Sequence, residues 1–426
     1  MTLTSILIIG VFAVIVLLMV FDKISGIVAL PLMAIAMAII AGVPVTEITN
    51  TIIGKGITVL ASAIFSSLIA AVLGELIKRT GIAEKLIRTA AELGGDNPYL
   101  VAILCFFAVG FSFIGLYGAG ARIMMGIIIF PIMLSVGVPK VVSASILLAS
   151  SFLGYYFNVA RWNFIKSLVN TDIELISKVA LVLCVPGVIV ALIFIIIGIK
   201  IKGPIFSWAA KADIPGTGDE KKAVPVYALI TPVVPLIFVL ALKWDVNAAF
   251  IAGMLYGIVT TQWKTKFKGV FDMLNKCCYE GFSAMAITIT LMFGIGMVIT
   301  AAQHKMLLGP ITDVINLIVP TNPVLIVILF GLIGPMLTLY RGPLNPWGLG
   351  AALASILATT SLPVGILVAM FWLYDYFVGV NDPTASQVVW SIGYLQVSGG
   401  KYTRATIGFN LGYVLIGIII AVCWFI

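Results

Sequence analysis

Charge is what this sequence lacks most. Of its 426 residues only 10% are charged, while 62% are apolar and the mean hydropathy is +1.19. A soluble domain carries about 25% charged and about 45–50% apolar residues. A chain so poor in charge cannot coat a water-facing surface, which excludes a soluble enzyme and leaves a polytopic membrane protein. Histidine is nearly missing as well, with His304 alone. The five cysteines are scattered (Cys105, Cys184, Cys277, Cys278, Cys423), so they offer neither metal-ligand spacing nor a disulfide framework. The N-terminus has no basic n-region and no small-residue cleavage site, and reads as a first membrane span. On a soluble protein the net charge of +8 would point to nucleic acid. In a membrane protein its sign is read loop by loop, and no nucleic acid, cofactor or resident metal is expected.

What the chain has in quantity is apolar runs. A span needs about 20 mainly apolar residues to cross about 30 Å of hydrocarbon. Residues 3–21, 24–42, 57–77, 178–199, 225–242, 246–261, 281–302 and 405–426 qualify. Two pairs of shorter runs do not. Residues 99–114 and 123–138 are joined by a glycine-rich break at 115–121, and 324–339 and 348–362 by a Gly/Pro break at 340–347. Each pair suits a re-entrant hairpin, since broken helix at membrane depth is tolerated only where protein or a wet cavity satisfies the backbone. Residues 141–157 and 364–380 run into polar segments and read as interrupted spans.

The halves repeat at an offset of about 223 residues. Pro98 falls opposite Pro323, Leu116-Tyr117 opposite Leu339-Tyr340, and Pro139 opposite Pro363; the aromatic run 152–157 is set against 372–377. Amphipathic stretches at 82–93 and 306–318 precede both hairpins. With each hairpin counted as no crossing, each half has five spans. An odd number inverts the second half, a recurring plan of secondary transporters. Basic residues agree with that topology. Seventeen fall in loops on one side, among them Lys78, Arg79, Lys200, Lys211, Lys264 and Lys401, against Lys55, Lys178, Lys243 and Lys305 on the other. Both termini are expected outside a cell membrane. The expected fold is therefore all-α: two inverted repeats of five transmembrane helices, each with a re-entrant hairpin and an interrupted helix.

Four basic residues are left at membrane depth: Arg122, Arg161, Lys166 and Arg341. A charge there costs about 2.5–3.5 kcal/mol on insertion scales, so each is a functional candidate. Arg341 lies within the second break, beside Gly342, and its planar fork suits a carboxylate. Arg122 follows the first break, where helix N-terminal N–H groups also favour an anion. Gly118 and Gly120 in the first break, and Asn345 in the second, complete the expected substrate contacts with Arg161, Asn158 and Asn381. The plain alternative for each arginine is snorkelling to an interface or pairing with Asp375 or Asp382 as structure. For the coupling ion the oxygen set is Asp382, Asp375, Asn381, Thr384 and Ser386, suited to Na⁺ or a proton, with Asp382-Pro383 equally readable as a helix cap. Glu75 reads as a helix-end residue and His304 as a solvated surface residue. Tyr374-Asp375 has the form of an intramembrane aspartyl protease motif, but the second motif, Gly-x-Gly-Asp, is missing; Gly115–Gly120 follows no strand, so it is no phosphate loop.

The stretch from Gly74 to Leu86, Pro139, Val380-Asn381-Asp382 and its spacing to the segment Tyr402–Thr406 together resemble the ion transporter superfamily, most nearly its gluconate permease and citrate–metal symporter groups. The Ser-Asn-Thr signature of the dicarboxylate/Na⁺ branch is absent from both breaks, and Tyr155–Arg161 stands where gluconate permeases have a His-Pro-rich segment. The resemblance implies a homodimer working as an elevator. Its scaffold would be residues 1–80 and 225–302, its arms 81–97 and 303–322, its transport domain 98–199 and 323–426, with a cytoplasmic linker at 200–224. The resulting expectation is cation-coupled (H⁺ or Na⁺) symport of a small organic carboxylate, a sugar acid or citrate-like anion. A Na⁺/H⁺ antiporter is the alternative; a membrane-embedded enzyme, the third class, lacks any nucleophile–base or metal constellation.

Overall fold

The computed structural model describes residues 3–426 apart from positions 22, 203–223, 319, 321, 341, 359 and 361. Its described residues form helices and no strands. The first half runs α1 (Leu3–Val20), α2 (Gly26–Ile40), α3 (Val45–Arg79), α4 (Ile82–Gly94), α5 (Pro98–Ser112), α6 (Ala119–Ser135), α7 (Lys140–Phe157), α8 (Val159–Val169) and α9 (Ile173–Lys202). The second runs α10 (Val226–Leu242), α11 (Val246–Gln262), α12 (Phe267–Ala302), α13 (Lys305–Ile318), α14 (Pro323–Met336), α15 (Leu349–Leu357), α16 (Val364–Asn381), α17 (Ser386–Tyr394) and α18 (Gly399–Phe425). Six of these, α3, α7, α9, α12, α18 and the run from α16 into α17, are long and apolar enough to cross a membrane.

The two halves follow one order of lengths. The third helices have 35 and 36 residues, the fourth 13 and 14, the ninth 30 and 27. Local chemistry repeats too. Asn97 and Asn322 each cap a helix that opens with proline: Asn97 Oδ1 accepts the Tyr99 N–H at 2.9 Å and Asn322 Oδ1 the Val324 N–H at 2.8 Å. Pro139 and Pro363 stand before α7 and α16, and each helix then runs 18 residues to its break. Asn158 thus answers Asp382. The aromatic match of 152–157 to 372–377 is one helical turn out of that register, because Phe, Tyr and Trp recur too often in these helices to mark a position.

Two packing groups are evident. Helices α2, α3, α11 and α12 pack together, and α5, α7, α9, α16 and α18 form the second. In the first group a Cβ on Gly296 of α12 would run into the Gly56 carbonyl oxygen of α3, so these backbones meet where only glycine fits. In the second, α16 is buried from Gly365 to Asn381, shielded from lipid by its neighbours. The polar segment expected after 157 is instead helix α8, buried against α3, and α15 likewise lies on α12.

Candidate functional site

A cavity of about 500 Å³ lies between the two groups. One wall is mainly apolar: Met19, Gly26 and Ile27 around the α1–α2 turn, with Ile287 and Leu291 of α12, and only the hydroxyls of Ser25 and Thr288 among them. The opposite wall is polar and comes from both helix breaks and both interrupted helices. It holds Tyr117, Gly118 and Arg122 from the first break and α6, and Tyr155 and Arg161 from α7 and α8. Asn345 and Trp347 come from the second break, Asp375 from α16, and Asp382, Thr384 and Ser386 from the segment before and at the start of α17.

Arg122 is 5% exposed and has no acidic partner among the described residues. Its Nε donates to Ser151 Oγ at 3.1 Å, its Nη2 has no partner, and its guanidinium lies 4.3 Å from the Phe152 ring and 4.8 Å from that of Tyr155. Gly118, with φ +92°, turns the chain into α6, and its N–H donates to Tyr155 Oη at 3.1 Å. Arg122 is thus a buried cation with no ion-pair partner among the described residues, one turn into a helix whose N-terminus faces the same space, an electrostatic setting that favours negative charge.

Arg161 stands differently. It is 4% exposed, and its Nη1 reaches Asp375 Oδ2 at 2.8 Å; Asp375 is itself 2% exposed, and its Oδ1 accepts the Trp347 Nε1–H at 2.6 Å. The Arg161 guanidinium lies 4.3 Å from the rings of both Tyr155 and Trp347 and 5.2 Å from that of Tyr117, with its Nε unpartnered. Asp382 Oδ1 accepts from the Thr384 N–H at 2.8 Å and its hydroxyl at 2.7 Å, and no described residue donates to Oδ2. The Asp382-Pro383 pair therefore makes a turn rather than a helix cap, since α17 begins at Ser386. The described charges of the wall are Arg122, Arg161, Asp375 and Asp382, which sum to zero.

The other expected site residues go elsewhere. Asn158 caps α8 through Oδ1, while its Nδ2 donates to the carbonyls of Ile114, Leu116 and Phe113 at 3.0, 3.3 and 3.4 Å, bracing the first break from behind. Asn381 Oδ1 accepts from Thr406 and Asn410, and its Nδ2 donates to the Phe377 carbonyl, so its oxygen is already occupied within the protein. Gly120 faces open space and Gly342 packs within its own turn; neither lines the cavity. Asn345 does, and shapes the second break by donating to the Thr338 carbonyl and accepting the Trp347 N–H. Arg341 lies outside the described residues. Lys166 is exposed near the end of α8, and Glu75 bonds Lys78 as its helix-end position implied. His304 is buried, not solvated: its Nε2 lies 2.8 Å from Glu47 Oε2, which ties the turn before α13 to the start of α3. Sequence reasoning missed Tyr117, Tyr155 and Trp347, whose one signal was adjacency to the breaks.

No family model and no curated protein matches the chain by sequence. By structure it is similar to the YdaH transporter of Alcanivorax borkumensis, described as having an unusual topology, with a TM-score of 0.62 over 89% of this chain and 87% of that one, at 13% identity. At that identity the likeness concerns the fold: the chain has the helical fold of a multi-pass membrane transporter.

Proposed function

We propose that the protein is a secondary active transporter that carries a small organic carboxylate, a sugar acid or citrate-like anion, together with H⁺ or Na⁺. The observation that carries this reading is Arg122, a buried and uncompensated cation on the cavity wall. The anion's carboxylate sits on Arg122 and the α6 N-terminus. The coupling cation sits at Asp382, whose Oδ2 takes no hydrogen bond from any described residue, with the Thr384 and Ser386 hydroxyls on the same stretch of wall. Asp375 is not the coupling site, because Arg161 and Trp347 already hold both of its oxygens. A balanced cavity that takes up one anion and one monovalent cation stays balanced, which favours moving both together over either alone.

The position of the cavity supports an elevator. Its polar wall belongs to the group built on α7 and α16, which would move as the transport domain, and its apolar wall to the group built on α3 and α12, the scaffold. Helices α4 and α13 would be the arms, and the repeated order of elements fits two inverted halves in a homodimer. Proteoliposome uptake of labelled gluconate, citrate and C4-dicarboxylates under imposed H⁺ or Na⁺ gradients tests the reading. Gradient-driven accumulation of one carboxylate is expected. Na⁺/H⁺ exchange with no carboxylate uptake would replace it with the antiporter.

A further inference from the structure

The geometry points to Arg161 as a positioning residue that joins the two helix breaks around the anion site, and not as a ligand of the anion. This rests on the transporter reading above and divides the labour between its two buried arginines. The charge of Arg161 is already committed to Asp375 at 2.8 Å, while that of Arg122 is not. Both broad faces of a guanidinium favour aromatic rings, and Arg161 has Tyr155 and Trp347 each at 4.3 Å. An anion at Arg161 would have to compete with Asp375 for a charge that is already paired, and it would meet the Asp375 carboxylate as a like charge.

The same contacts show what Arg161 joins. Trp347 belongs to the second break, and it is held by Arg161 and by Phe164, three residues on along α8, whose ring stacks on it at 5.0 Å and 11°. Its indole N–H is fixed on Asp375 of α16. Tyr155 ends α7, accepts the Gly118 N–H of the first break, and carries Arg122 over its ring at 4.8 Å. Four stretches of sequence, the first break, the α7–α8 junction, the second break and α16, thus meet around one guanidinium, and the anion-binding arginine touches that assembly through Tyr155. Substrate on Arg122 and the shape of the second break are mechanically linked, so cutting the joint frees cation movement from carboxylate movement.

Removing one member of a buried ion pair strands the other charge, whereas neutralising both is often tolerated. The test variant is therefore R161Q/D375N, compared with R122Q in the same proteoliposomes. For R161Q/D375N the expected result is a carboxylate KM within about threefold of wild type, a Vmax lowered about tenfold, and cation uptake that no longer needs the carboxylate. R122Q is expected to raise KM instead. A KM in R161Q/D375N raised as far as in R122Q would make Arg161 a ligand. Wild-type KM, Vmax and coupling ratio would reduce the pair to packing. Hydrogen–deuterium exchange reads the joint without any substrate. Residues 113–118 and 337–348 should both exchange faster in R161Q/D375N, and unchanged exchange in both overturns the inference even if the wild type transports no carboxylate.

Discussion

A buried guanidinium is defined by what lies opposite it. Arg122 has rings beneath it and a serine at its Nε, and no carboxylate among the described residues pairs with it. Hydrogen bonds to a charged group contribute about 1.5–3 kcal/mol, roughly a factor of 10–100 in affinity. Arg122→Gln is therefore expected to raise the carboxylate KM by about that factor in proteoliposomes while the purified protein stays folded and monodisperse; an unchanged KM would remove the site. Asn158 supports a sharper contrast. Its amide donates toward three carbonyls, so Asn158→Asp keeps the α8 cap but buries an acceptor-only carboxylate against them, while Asn158→Ala leaves them unbonded and gives up the cap without burying a charge. The Asp variant is expected to melt below the Ala variant in a detergent thermal-shift assay; a higher melting point with Na⁺ present would restore Asn158 as an ion ligand. Arg122, Arg161 and Asp375 were legible because charge is scarce. Tyr155 and Trp347 were not, because 11% of the chain is aromatic and nothing sets these two apart. Asn158 and Asn381 read as ligands because an asparagine that braces a helix break and one that binds an ion have the same sequence signature.

Among elements, α8 is where the structure is most informative. Its residues read from sequence as the polar side of an interrupted span; they form a helix after the break at Asn158, and of its polar side chains Arg161 and Asn163 are buried against protein while Lys166 is exposed. Asn163 donates from Nδ2 to Ser66 Oγ at 2.7 Å and to Ser62 Oγ at 3.0 Å on α3, and Ser66 Oγ lies 2.8 Å from Asn247 Oδ1 on α11. This polar contact crosses from one packing group to the other. Interhelical hydrogen bonds of this kind in membranes average about 0.6 kcal/mol, enough to shift a two-state population by roughly threefold. Asn163→Ala is expected to change Vmax by about that factor with KM unaffected, measured in the same uptake assay; a KM change alone would mean that α8 shapes the site and does not hold the groups together. The paired helices on either side of each break, and helices over the two amphipathic stretches, were legible from breaks and periodicity. The lower boundary of α3 was not: residues 45–56 carry too few apolar side chains to read as span, yet continue the helix through a wider-wound turn at Ile48–Lys55.

At the scale of the molecule, the proposed orientation rests on the uneven placing of the basic residues among the loops. Single cysteines introduced at Lys264 and Lys305, both exposed, test this with an impermeant thiol reagent added to intact cells, in a background with the exposed Cys423 replaced. Only position 305 should react; labelling at 264 would reverse the proposed orientation. The helix lengths reach further. At about 1.5 Å per residue, the 15 residues of α2 and the 17 of α11 span only about 22–26 Å, short of about 30 Å of hydrocarbon, yet they stand beside α3 and α12 of 35 and 36 residues. Lipid chains next to the short helices must compress or splay to meet them. A bilayer pinched at that flank shortens the distance between its two water-facing surfaces where the cavity lies, and so the stroke a carried charge has to make.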